Sequence, residues 1–378
     1  MKFLFVASLH HPDPGRSRLP GEFPSAQAEA SWTKALKDLG HETSVFWRNV
    51  DSLDEFRPLV MTERRSLARA GRALVSRVPW LSPGRRRRNG RLVELARREP
   101  PDVVVVIGNN TDVTAATLET VKRETGALVV YACGDSPVVF ARPIERAAAR
   151  VYDLVIANDA GHAAQWRQLG ARRTELLPMS AADVELCVAA REAAGTEFEC
   201  DVGFAGTLVP AALYRKRVEA LEALRDFDLA IWSVHEVPPS LRRFHRGPLV
   251  GPAMLRALAA SRIVPNPHGD TMRDGGNMRL FEVCGVGALQ ITDDCPAARR
   301  WFVPGEHLVV YEDPGHLRSL VGYYLAHDEQ RRRIARAGQR HVLAGHTYHD
   351  RMRRLVELVE GLRRPSAVGG ETAGRPAE

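Results

Sequence analysis

The feature that most constrains this chain is a rhythm. Short, almost purely apolar and β-branched runs recur at "KFLFVAS" (2–8), "HETSVFW" (41–47), "DVVVVIG" (102–108), "ALVVYAC" (127–133), "DLVIAN" (153–158) and "TELLPM" (174–179), with helical periodicity between most of them. Near-continuous apolar strands must be covered on both faces, which is the condition of a parallel sheet packed between helices. After a polar, alanine-rich stretch around 180–199 the rhythm restarts at "CDVGFAG" (200–206). It continues through "DLAIWS" (228–233), "RIVPN" (262–266), "ALQITD" (288–293) and "HLVVY" (307–311). The expectation is an α/β chain of two domains, residues 1–190 and 191–362, with closing helices at 331–338 and 348–362 and a disordered tail at 363–378.

Composition agrees: 378 residues, 44% hydrophobic and 26% charged, suffice for two sizeable cores. The longest apolar runs fall far short of the roughly 20 residues that span a bilayer. The opening "MKFLFVASLHHPDPG" lacks a cleavage site and runs straight into His10 and His11, so it reads as a buried strand rather than a signal peptide. Five scattered cysteines without a C-x-x-C pair suit neither a disulfide framework nor a zinc site, and point to a reducing cytoplasm. The net charge of +7 is concentrated, with thirteen arginines between Arg57 and Arg98 against Glu63 and Glu94. That run reads as a solvated helical face, with peripheral contact to an anionic membrane as the alternative. Nucleic acid is not an expected partner, because only Trp80 lies beside the charge and no recognition module appears.

Two such domains imply a cleft at the carboxyl ends of both sheets. The loop after the first strand, "SLHHPDPGRSRLPGEF", has no G-x-G-x-x-G pattern, and no P-loop occurs anywhere. A phosphate site is better sought in "MRDGGNMRLFEVCGVG" (272–287). There Asp274, Gly275 and Gly276 form a turn, Asn277 is an N-cap, and a helix is expected from Met278 to Cys284 with Gly285 ending it. Bare backbone at such a start aims N–H groups at one spot, where a pyrophosphate fits. Glu282 lies about 6 Å further along the axis, within reach of an attached ribose. The same residues also allow a plain turn, with Glu282 paired to Arg279 at the i, i+3 spacing.

The segments "SRIVPNPH", "NMRLFEVCGVGALQITDD", "GEHLVVYED", "YYLAHDEQRRRIARAGQRHV" and "HTYHDR", in this order over about 90 residues, carry a resemblance. They resemble the carboxyl-terminal half of GT-B glycosyltransferases, in the group-1 branch related to bacterial spore-maturation-protein glycosyltransferases. "DVGFAGTL" and "YACGDSP" match less specifically. The resemblance implies two facing Rossmann-like domains, the first holding an acceptor and the second a nucleoside-diphosphate sugar. It makes Glu282 the ribose-binding acid and Gly275, Gly276 and Asn277 the pyrophosphate loop. Asp274 stands at the first acid of an E-x₇-E pair, one methylene short. Gly206 and Thr207 fall in the loop approaching the phosphates, Arg215 and Arg217 at the phosphate-neutralising cation, and His268 and Arg279 beside the donor. Asp135 is the first candidate for the base that takes the acceptor's proton, with His10 and His11 next. No metal and no cofactor beyond the donor are expected. A non-catalytic nucleotide-sugar-binding protein, and a basic nucleic-acid or membrane-surface module, are the alternatives.

Overall fold

The computed structural model describes residues 1–8, 27–50, 83–108, 110 and 112–363. The first half runs β1 (Lys2–Ala7), α1 (Gln27–Asp38), β2 (Glu42–Trp47), α2 (Pro83–Arg98), β3 (Val103–Ile107), α3 (Ala115–Thr125), β4 (Leu128–Cys133), α4 (Pro143–Ala147), β5 (Leu154–Ala157), α5 (Ala160–Gln168) and β6 (Thr174–Leu176). The second begins with α6 (Val184–Glu192), β7 (Cys200–Ala205), α7 (Ala211–Glu222), β8 (Leu229–Trp232), α8 (Gly251–Ala260) and β9 (Ser261–Asn266). It ends with α9 (Arg279–Gly285), β10 (Leu289–Asp293), α10 (Pro296–Trp301), β11 (Val309–Tyr311), α11 (Pro314–Ala326), α12 (Asp328–Gly345) and α13 (Tyr348–Arg363). All eleven apolar runs form strands.

Two parallel sheets result, ordered β2-β1-β3-β4-β5-β6 and β11-β10-β9-β7-β8. The two-residue period of a strand sorts each sheet's side chains into two cores. Along β1, Leu4 and Val6 pack with Leu92 of α2 and with Leu118 and Val121 of α3. Phe3 and Phe5 point the other way, against Trp32, Ala35 and Leu36 of α1. Each of these fully buried aromatics contributes on the order of 1.5–3 kcal/mol by leaving water.

Two helices move the expected domain boundaries. Cys187 and Ala190 of α6 share a core with Met254, Leu255 and Leu258 of α8, so α6 belongs to the second domain and a boundary at 190/191 would cut through it. At the other end, Tyr348, Met352, Leu355, Leu358 and Val359 of α13 join the first-domain core beside Phe3 and Phe5. Residues 348–362 therefore pack with the first domain, not the second. The "HTYHDR" segment starts this return: Thr347 Oγ1 donates to Asp350 Oδ2 at 2.7 Å, and His349 Nε2 lies 2.8 Å from Asp38 Oδ2 of α1. The chain crosses between domains twice, side by side, with the amide of Ala182 bonded to the His346 carbonyl at 3.0 Å and the amide of Tyr348 to the Ala182 carbonyl at 3.1 Å. Of the expected tail 363–378, Arg363 instead ends α13, and residues 364–378 lie outside the described residues.

The arginine-rich stretch is not a uniform solvated face. Arg85 and Arg88 of α2 are buried, and Arg88 Nη2 donates to Asp112 Oδ1 at 2.6 Å. Arg86 and Arg87 between them are exposed, and residues 57–82 lie outside the described residues. Among the described residues no helix is long and apolar enough to cross a membrane.

Candidate functional site

The carboxyl ends of both sheets open on one cleft of about 340 Å³. Its first-domain wall comes from the ends of β3 (Ile107, Gly108), β4 (Cys133, Gly134, Asp135) and β5 (Asn158), with Trp32, Met179 and Tyr348. Its second-domain wall is Tyr214, Arg217, Gly269, Thr271, Met272, Asn277 and Met278. Met272 also borders a neighbouring cavity of about 630 Å³, lined by Arg215, Lys216, Asp270, Arg273, Asp293 and Asp294. Only the smaller cleft draws on both domains.

Of the basic cluster on α7, Arg217 is the member that faces the cleft. Its Nε donates to the Pro267 carbonyl and its Nη1 to the Thr207 carbonyl, both at 3.0 Å, and its guanidinium lies 4.7 Å from the centre of the Tyr214 ring. Nη2 keeps no protein partner among the described residues, and burial pulls the group's pKa below the usual arginine value. Arg215 is largely exposed and lines the larger cavity instead. Tyr214 owes its position to a break in α7, where its φ of −136° and ψ of 25° are not helical. Asp270 holds that break, accepting from the amides of Arg215 at 3.0 Å and Lys216 at 3.3 Å. Burial raises the Tyr214 phenol's pKa, with nearby Asp135 adding to the effect and Arg217 opposing it.

Asp135 lies on the opposite wall, after β4, with its amide 3.4 Å from Cys133 Sγ. His10 and His11 lie outside the described residues. His268 is buried at 1% exposure, its Nδ1 2.7 Å from Asp293 Oδ1, while Nε2 has no partner among the described residues. Burial pulls this imidazole toward neutrality, yet Asp293 and Cys295 outweigh it and raise the pKa to about 9.

The glycine turn is put to a different use from the one its sequence suggests. The amides of Arg273, Asp274 and Gly275 donate at 3.2, 2.7 and 2.7 Å to a single oxygen, Oδ2 of Asp159 in the first domain. In this structure these amides, the Gly275 N–H expected to face a pyrophosphate among them, bond to Asp159 instead. Gly275 is bare because a Cβ there would lie 2.5 Å from the Asn158 carbonyl oxygen. Gly276 packs likewise, its Cβ position 2.7 Å from Leu280 and 2.9 Å from Trp301. Asp274 lines neither cavity and faces the start of α5, 4.0 Å from a Cβ position on Gly161.

Asn277 does cap the helix, its Oδ1 accepting from the Leu280 amide at 3.1 Å, although α9 begins at Arg279 and includes Gly285. Asn266 Nδ2 bonds both Asn277 Oδ1 at 3.1 Å and Gln290 Oε1 at 2.7 Å, and Asn277 Nδ2 returns a bond to Asn266 Oδ1 at 2.8 Å. Asn266 and Gln290 escaped the sequence reading, although a buried amide in an otherwise apolar strand is a signal for them. The amides of Asn277 and Met278, on the cleft wall, take no partner among the described residues.

Glu282 is buried at 3% exposure and ion-pairs with Arg279. Neither lines the cleft, and the i, i+3 pairing that the spacing allows is formed. Arg279 also donates through Nε to the Ala205 carbonyl at 3.0 Å. Gly206 spends its amide on the Trp232 carbonyl at 3.0 Å, and Thr207 contributes its carbonyl to Arg217. Among the described residues no three His, Cys, Asp or Glu side chains gather as metal ligands.

Residues 215–357 match the family model described as "Glycosyl transferase-like". None of the curated proteins matches the chain by sequence. Among solved structures, sucrose-phosphate synthase from Thermosynechococcus elongatus superposes with a TM-score of 0.62 at 12% identity, over 96% of this chain and 98% of that one. Anabaena Alr3699/HepE in complex with UDP-glucose gives 0.61 at 15%, over 96% and 100%. A glycosyltransferase from Rickettsia africae gives 0.59 at 11%, over 97% and 99%. Residues 215–357, most of the second domain and the start of α13, are thus glycosyl transferase-like, and the whole chain has the GT-B fold of two facing Rossmann-like domains.

Proposed function

We propose that this chain is a glycosyltransferase that moves a sugar from a nucleoside diphosphate onto an acceptor hydroxyl, working without a metal in the cytoplasm, in the branch related to spore-maturation-protein enzymes. One observation carries the reading: a single cleft lined by Asp135 from the first domain and by Arg217, Asn277 and Met278 from the second. Arg217 brings an unspent Nη2, and the backbone at 277 and 278 brings two unspent amides, the donor set that a departing diphosphate needs. Asp135 takes the acceptor proton as the hydroxyl attacks the anomeric carbon. That the similar Anabaena protein has been crystallised with UDP and with UDP-glucose supports a uridine nucleotide as donor.

Calorimetric titration of the full chain with UDP and UDP-glucose tests the donor half. A ligand at 100 times its Kd stabilises the fold by about 2.7 kcal/mol, so a melting shift accompanies binding. Arg217→Ala should weaken UDP binding at least tenfold. Asp135→Asn should leave UDP affinity intact and slow turnover by about 10²–10⁴. A parent chain that binds no nucleoside diphosphate sinks the proposal, and unchanged turnover in Asp135→Asn removes that residue as the base.

A further inference from the structure

The carboxylate of Asp159 receives five backbone N–H groups. Oδ1 accepts from Gly161 at 2.8 Å and His162 at 3.2 Å, capping α5, while Oδ2 accepts the three amides of 273–275 from the other domain. Capping alone does not account for an aspartate here, because serine or threonine caps a helix about as well but is too short to reach a second segment. Charge-assisted bonds of this kind are roughly twice as strong as neutral ones. At 2% exposure they are shielded from water. Contact between domains of one chain is by default mobile, so three buried, charge-assisted bonds from one carboxylate oxygen across the junction mark this as a fixed point.

We infer that Asp159 is a positioning residue, latching loop 273–275 of the second domain onto the first and thereby holding Asn277 and Met278 on the cleft wall. Gly275 is the other half of the latch, since only a residue without Cβ lets the loop come this close to the Asn158 carbonyl. Asp159 itself lines neither cavity, so it acts through the loop and not on a ligand. The part of the inference that concerns the donor rests on the function proposed above; the latch does not.

The test uses the full chain with Asp159→Ser, which retains a capping oxygen for α5 but cannot span to the loop, and Gly275→Ala, which forces the loop away from its own side. Amide hydrogen exchange and UDP titration are measured on both. The expected result is at least tenfold faster exchange over 272–278, unchanged exchange over α5 in Asp159→Ser, and UDP affinity at least fivefold weaker. Asp159→Asn, which keeps the shape and loses the charge, should fall between parent and Asp159→Ser. Unchanged exchange over the loop overturns the latch. Faster exchange with unaltered UDP affinity overturns the positioning role. A parent chain without nucleotide affinity removes the donor-site part along with the proposed function, while the exchange result still decides the latch.

Discussion

At the scale of single residues, His268 offers the clearest pH dependence. Its imidazole is buried against Asp293, and its pKa stands at about 9 against an ordinary 6.5. A raised histidine pKa contributes stability that is complete below pH 6.5 and is lost as pH rises through 9. Asp293 is shifted down, so its share persists above the ordinary carboxylate range and is lost only on acidification. The unfolding free energy extrapolated from denaturant titrations should therefore fall between pH 6.5 and 9 by an amount on the order of 3 kcal/mol, and His268→Gln should flatten that slope. A parent chain equally stable at pH 6 and pH 9 would refute the charged pair. The same scale shows where sequence stops being informative. "YRKR" announces a cation but not its direction, which depends on the break at Tyr214 and on the carbonyls of Thr207 and Pro267. "DGGN" announces bare backbone but not its purpose. Backbone stripped for an anion and backbone stripped for close packing are spelled alike, and Asp159, which settles the matter for 273–275, lies more than a hundred residues away.

Elements were far more legible than residues, for a physical reason. A parallel strand buried on both faces must be written almost wholly in apolar letters, so "VVVVI" of β3 and "LVIA" of β5 declare themselves. Helices declare only that one stripe is apolar, not what covers it. The closing helix α13 follows the second sheet in sequence yet packs on the first, with Leu355 completely buried beside Phe3 and Phe5. Leu355→Ala should cost about 2–5 kcal/mol through the cavity left behind. The loss should appear as faster amide exchange in β1 and β3 of the first domain while β9 and β10 stay protected. Greater loosening in β9 and β10 would mean that α13 supports the second domain after all.

For the molecule as a whole, that return of the chain means that neither domain boundary is a single cut. Ala182 and Thr347 pair as a parallel bridge, so both crossovers lie together and form one narrow joint between the domains. The Asp159 latch closes the same two bodies from the cleft side. The second domain, 183–346, contains both of its own cores, including Cys187 of α6 and Val342 of α12, and should fold as an isolated fragment. The first, cut as 1–182, leaves Phe3, Phe5, Val103 and Val105 with α1 but without α13, the second of the two helices that share their core. Such an uncovered apolar face favours association over a stable monomer. Circular dichroism melts of the two fragments should show a cooperative transition for 183–346 and none for 1–182 alone, with the transition restored when a peptide of residues 347–363 is added in excess. A parent-like melt of 1–182 without the peptide would show that α13 is an accessory to the first domain and that the joint, rather than the shared core, is what brings the chain back across.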